Sequence, residues 1–286
     1  MDLDHSRHSS SDFAALFDGS TLQGWHAAPR TYGSLWPGGP HVGDVLPLPD
    51  GYFDDAVEYQ AVWSVVDGAI EGRQDPRKPG FGGYLVTDRT YGDFELVLEM
   101  KPDWPADTGV MLRRCGTSWA GYQVLVDHRE SGSIGGFFGH GIAPFHAVPF
   151  ALNVSRDELG RPMGLVEDDP ATSIEPFTQD KRDLLVEAAS AEDFLAVWRW
   201  GDWNELRIRT VGAKPRISTW VNSVPIATLD AADLDFPNYD ADAALDLLGT
   251  RGHIALEVHD NDPVVGEKRW AATSACRWRN IRIREL

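Results

Sequence analysis

Hydrophobic and polar positions alternate along most of the chain. In DFELVLEMK, Phe94, Leu96, Leu98 and Met100 fall on one side and Glu95, Val97 and Glu99 on the other. This period of two predicts a strand with one buried face. GVMLRR sets Val110 and Leu112 against Met111 and Arg113, and GYQVLVDH sets Tyr122, Val124 and Val126 against Gln123, Leu125 and Asp127. RGHIALEVHDND puts Ile254, Leu256 and Val258 on an apolar face and Ala255, Glu257 and His259 on the other, with Asp260 next. NELRIRTV and PRISTWV read as a hairpin around Gly212, and Asn222-Ser223 as a second tight turn. Helical periodicity is confined to short pieces around Pro237 in AADLDFPNYDADAALDLL. The fold class is all-β, a sandwich of antiparallel strands.

Three stretches break the rhythm, at about 26–60, 138–202 and 230–250. Their Trp, Phe and Pro content predicts ordered loop insertions, and loops this long are usually functional. Nothing reads as a repeat or a dividing linker, so residues 1–286 are expected to form one domain.

Charge narrows the partners. A formal net charge of −18 over 286 residues excludes a nucleic-acid backbone or an anionic membrane as a natural surface to bind. No run of apolar residues is long enough to span a bilayer. The N-terminal MDLDHSRHSSSDF lacks the apolar centre of a secretory signal, so a cytoplasmic location is expected. Cys115 and Cys276 are expected to be free, buried thiols.

Several phrases, in order, carry a resemblance: FAALFDGSTLQGW, WSVVDGAIEG, YLVTDRTYGDFELVLEMK, TGVMLRR, GYQVLVD, GSIGGF, WNELRI and WRNIRIREL. Together they resemble the 3-keto-disaccharide hydrolase family over roughly half the chain. The resemblance implies a concanavalin A-like jelly roll of two curved antiparallel sheets. It implies activity on glycosides already oxidised at C3: β-elimination, hydrolysis, or hydration of the resulting 2-hydroxy-3-keto-glycal. Four positions depart from the family pattern. Asp107-Thr108-Gly109 stands for Asn-Ser-Gly, and Tyr122-Gln123-Val124-Leu125 for Tyr-Glu-x-Gln. Leu256-Glu257-Val258-His259 stands for Leu-Gln-x-His, and Asn222-Ser223 for an Asn-Gly turn.

A ketone at C3 makes the C2 hydrogen acidic. Cleavage then needs a base at C2, an acid at the departing C1 oxygen, and donors facing the enolate oxygen. His259 and Arg113 match the family's His and Arg positions. The expected catalytic residues are His259 or Glu257 as acid or base, with Asp127 in support. Arg113 and Gln123 would orient the sugar, and His140, His146, Glu71 and Trp119 would contact it. Trp36 and Trp104 also sit in Gly- or Pro-rich loops suited to a sugar platform. His128 turns to the apolar face, and Arg279-Asn280 reads as a pair fixing the last strand. His140, His146, His259 and Asp127 could hold a divalent metal ion, although their spacing matches no compact metal motif. Two other readings stay open: a two-carboxylate glycoside hydrolase pairing Glu257 with Glu71 or Asp127, and a non-catalytic carbohydrate-binding module. No Gly-x-Gly-x-x-Gly fingerprint is present. A separate sugar 3-dehydrogenase would therefore act upstream on the small-molecule sugar substrate. The insertions could close the site within one chain or pack against a second copy in a homo-oligomer.

Overall fold

The computed structural model describes residues 13–116, 119–262 and 265–286. All but the last residue of the polar N-terminal stretch quoted above lies outside them. Two antiparallel sheets stack on one core. The first has seven strands in the spatial order His146–Ala147, Ile134–His140, Gly121–His128, Ala106–Arg114, His253–Val258, Gly83–Thr87 and Trp25–Pro29. The second runs Glu187–Ala188, Val224–Asp230, Arg216–Val221, Asn204–Val211, Phe94–Pro102, Cys276–Glu285, Ala69–Arg73 and Val62–Val66, with Ala14–Ala15 added beside Cys276–Glu285. Between them, Val110, Leu112, Val124, Val126, Ile254 and Leu256 meet Leu96, Leu98, Leu206, Ile208 and Trp278. These are the apolar faces that the alternation predicts, and the architecture is the expected all-β sandwich. Asn222 and Ser223 both take positive φ, 47° and 71°, as a two-residue hairpin turn requires.

Alternation also predicts a wet second face, and here the structure differs. Every residue of the 106–114 and 121–128 strands is buried. Much of the cover is the 26–60 stretch. It begins as the edge strand Trp25–Pro29 and then crosses the sheet as a strap bearing two short helices, Val42–Val45 and Tyr52–Glu58. Tyr32, Val42, Tyr52 and Ala56 of the strap pack with Phe81 and Trp119 in a second apolar cluster. The Ala143 N–H donates to the Leu35 carbonyl at 2.9 Å, tying the strap to the turn after the 134–140 strand.

The other two insertions are also built. Residues 138–202 hold the hairpin Leu152–Arg156 with Pro162–Glu167 and the helices Gln179–Asp183 and Ala191–Leu195. Residues 230–250 hold the helix Ala241–Leu248, whose first N–H groups are capped by the Asp240 carboxylate. Both cysteines are free, but only Cys276 is buried, and Cys115 is half-buried. No helix among the described residues is long and apolar enough to cross a membrane.

Candidate active site

The seven-stranded sheet and the strap enclose a cleft of about 430 Å³. Its floor comes from alternate residues of neighbouring strands: Asp107, then Gln123, Leu125 and Asp127, then His259 just beyond the 253–258 strand. Period two delivers these side chains to one face.

Arg30, the first residue of the strap, lines the cleft and is the hub laid over one side of this floor. Its Nε donates to Glu257 Oε1 at 2.6 Å, Nη1 to Asp260 Oδ1 at 2.5 Å and Nη2 to His259 Nε2 at 3.0 Å. Asp260 Oδ2 accepts from Tyr52 Oη at 2.6 Å and from Tyr32 Oη. Burial would raise the Asp260 carboxyl, but Arg30 and His259 hold it well below the ordinary range. His259 Nδ1 donates to the Asp260 carbonyl at 2.7 Å, so the Nε2 lone pair is the one that accepts from Arg30. Nε2 also lies 3.8 Å from Asp107 Oδ2.

A second charged group borders the first. Asp107 and Asp127 face each other across adjacent strands. Arg129 Nε lies 2.8 Å from Asp127 Oδ1, and Arg129 Nη2 donates to Glu175. Arg269 donates to Asp107 and, at 2.6 Å, to Asp262 Oδ2. Four carboxyls thus share two guanidiniums. Asp127 is the one that no guanidinium N–H meets at good angle: its Oδ1 and Arg129 Nε both lack a hydrogen-bond partner despite their proximity. Burial, reinforced by Asp107, pushes the Asp127 carboxyl well up against the pull of Arg129. Burial would raise Asp107 too, but His259, Arg269 and Arg129 overcome it and hold Asp107 at about 2. The two neighbouring carboxyls are thus pushed in opposite directions, Asp127 up and Asp107 down, the kind of divergence that acid–base sites exploit.

The family model for the 3-keto-alpha-glucoside-1,2-lyase-like domain matches residues 12–284. The chain belongs to this family. Membership supports a carbohydrate-active role. No curated protein matches the sequence. Among solved structures, the family member is similar to a proposed glycosyl hydrolase from Parabacteroides distasonis, at 14% identity and TM-score 0.46, covering 96% of this chain and 94% of that one. A second proposed glycosyl hydrolase from the same organism has 19% identity and TM-score 0.44, covering 79% and 90%. A carbohydrate-binding module from Bacillus subtilis has 11% identity and TM-score 0.42, covering 79% and 92%.

Within this family domain, His259, Asp127, Gln123, His140, His146 and Trp119 all line the cleft. Glu257 does not. It is 0% exposed, held by Arg30 and by Gln123 Nε2, so it serves as a buried counter-ion rather than as an acid or base. Both polar ends of Gln123 are engaged, because Oε1 accepts from His140 Nε2 at 2.9 Å. It positions Glu257 and His140 instead of orienting a sugar. Burial, with Arg30 and His259 adding, drops the His140 imidazole well below its usual range, and its Nδ1 has no partner among the described residues. That lone pair is a ready acceptor for a sugar hydroxyl. Burial likewise lowers His146, to about 4.

Two candidates lie elsewhere. Glu71 belongs to the other sheet, bonded to Arg73 Nε at 2.7 Å and Arg277 Nε at 2.8 Å. The proposed pairing of Glu257 with Glu71 therefore has no geometry. Arg113 is displaced by a bulge. Pairing with the 253–258 strand slips by one residue, Arg113 takes φ 54°, and Arg114 instead lies over the Tyr84 ring. Gly252 permits this, because a Cβ there would sit 2.5 Å from the Arg113 backbone. The Arg113 guanidinium binds the Gly212 and Gly249 carbonyls at 3.0 and 3.3 Å, and Asp93 at 3.3 Å. Arg113→Lys should therefore lower the melting temperature while moving KM less than about twofold, since Lys cannot reproduce the guanidinium fork. Steady-state kinetics beside thermal denaturation checks this, and a large KM effect would return Arg113 to the site.

Trp104 packs on His128 and Trp200, away from the cleft. Trp36 is also absent from the cleft lining. Among the described residues no three His, Cys, Asp or Glu side chains come together to hold a metal ion. The cations beside Asp107 and Asp127 are guanidiniums. Arg30, Tyr32, Tyr52, Asp260, Asp107, Arg129, Glu175 and Arg269 went unselected from sequence. Only Asp107 left a signal, as the acidic replacement in Asp-Thr-Gly.

Proposed function

We propose that the protein cleaves 3-keto-glycosides by β-elimination followed by hydration. The observation that carries this is the Asp127–Asp107–His259 group, a carboxyl pushed up beside a carboxyl held down and an imidazole, all lining one cleft. The His259 Nε2 lone pair, released from Arg30 Nη2 as the sugar seats, removes the proton from C2, and the C3 ketone takes up the electron pair as an enolate. Asp107, 3.8 Å from Nε2, stabilises the imidazolium that forms. The enolate re-forms the ketone, the C1–oxygen bond breaks, and Asp127 gives its proton to the departing oxygen. In the second half Asp127, now ionised, takes a proton from water as its oxygen adds at C1, and His259 returns a proton to C2. The sum is 3-keto-glycoside plus water giving 3-keto-sugar plus alcohol. Arg269 and Arg129 supply the positive charge that keeps Asp107 ionised.

Hydration alone, on a glycal made elsewhere, would use only the second half. Because oxidation at C3 precedes both, a separate sugar 3-dehydrogenase supplies the substrate. The converging acid, base and guanidiniums argue against a purely binding module. One observation favours a second reading: two Asp carboxyls facing each other, one pushed up and one held down, also suit direct hydrolysis of an unoxidised glycoside.

Incubation with a glucoside and its 3-keto form in D2O, followed by NMR, separates them. Turnover of the keto form alone, with deuterium entering at C2, is the expected result. Turnover of the plain glucoside would replace this reading with the two-carboxylate hydrolase.

A further inference from the structure

The cleft is chemically lopsided. Its polar groups gather on the sheet floor and the 259–269 side. Beyond Arg30 and Tyr32, whose polar atoms are tied to Glu257, His259 and Asp260, the strap contributes Leu35, Val42, Val45 and Leu46, and the 134–140 strand and the turn after it add Phe138 and Pro144, none of which carries a polar side-chain atom. The strap's backbone offers little more. The N–H groups of Leu35, Val42 and Leu46 donate to the carbonyls of Pro40, Gly33 and Val42, at 2.9 Å each. A second sugar seated against this wall would leave its hydroxyls without partners, which is costly once water is excluded. Val45 is 52% exposed, beside half-buried Leu35 and Leu46. An isolated exposed apolar residue is ordinary, but these three form part of one cleft wall.

We infer that the leaving group of the substrate is an apolar, ring-sized aglycone, not a second sugar, and that the Leu35–Val45–Leu46 wall receives it. The inference rests on the glycoside-cleaving reading above. The keto-sugar takes the Asp127, His259 and His140 end, and the aglycone takes the strap end.

Calorimetric titration of the intact protein with phenyl, methyl and glucosyl glucosides, in both anomers, tests it. Unoxidised ligands suffice, because binding does not pass through the ketone chemistry. Phenyl glucoside is expected to bind about tenfold more tightly than either other ligand, the gain that burying one apolar ring supplies. Val45→Asp, at a position 52% exposed, should bring the phenyl-to-methyl ratio towards one. Glucosyl glucoside binding as tightly as phenyl glucoside, or a ratio unmoved by Val45→Asp, would overturn the inference. A phenyl preference without turnover of any 3-keto-glucoside would keep the aglycone wall and discard the elimination chemistry. Turnover with a glucosyl preference would do the reverse.

Discussion

Asp127→Asn lowers kcat on a 3-keto-glycoside with an alkyl leaving group by about 100-fold or more, the usual worth of a positioned general acid. The loss should nearly vanish with a 4-nitrophenyl leaving group, which departs without a proton. A purely structural Asp127 would not distinguish the two substrates, so equal losses on both would remove it from the acid role. The wild-type pH profile should fall on the alkaline side as Asp127 gives up its proton, and the Asn variant should lack that limb. Stability follows the same group. The folded-state pKa lies above the ordinary unfolded value, so the folded chain holds the proton more tightly. That contribution is complete below the unfolded pKa of about 3.9 and is lost as pH rises through the folded value. The Asn variant should therefore gain in melting temperature over the wild type as pH rises.

Arg30→Met should be the most destabilising single change at the site. Among the described residues Arg30 is the only side chain that bonds Glu257, Asp260 and His259 together. Glu257 and Asp260 are 0% and 1% exposed. Removing one partner of such a buried pair costs about 3–5 kcal/mol, because the other charges stay behind unpaired. Urea denaturation would measure this. Glu257→Gln placed on top of Arg30→Met should recover part of the loss, since it removes one of the stranded charges. Independent, additive losses would mean that Arg30 acts through packing on Tyr32 and not through charge.

These two residues differ sharply in how visible they are in the sequence. Asp127 sits in an uninterrupted alternation, and counting by two from Gln123 turns it to the cleft. The same counting assigns both faces of the 254–258 run. It goes wrong at Arg113, where one extra residue in a bulge reverses the face, and a period of two has no way to register that shift. Glu257 is assigned to the right face but not to the right depth. Alternation gives the direction of a side chain and is silent about what lies on top of it. What lies on top is the strap. Its sequence has no period, and Arg30 meets Glu257 across 227 positions. No local pattern links residues so distant.

The bonds joining Arg30, Tyr32 and Tyr52 to Glu257 and Asp260 have a consequence for how the family can vary. Each carboxylate is tolerable only with its strap partner above it, and each strap partner is idle without its carboxylate. The five residues should therefore be inherited as a block. A relative with a shortened 26–60 segment is expected to carry neutral side chains at the positions of Glu257 and Asp260. Grafting the strap onto such a relative would require both acidic substitutions in the same step.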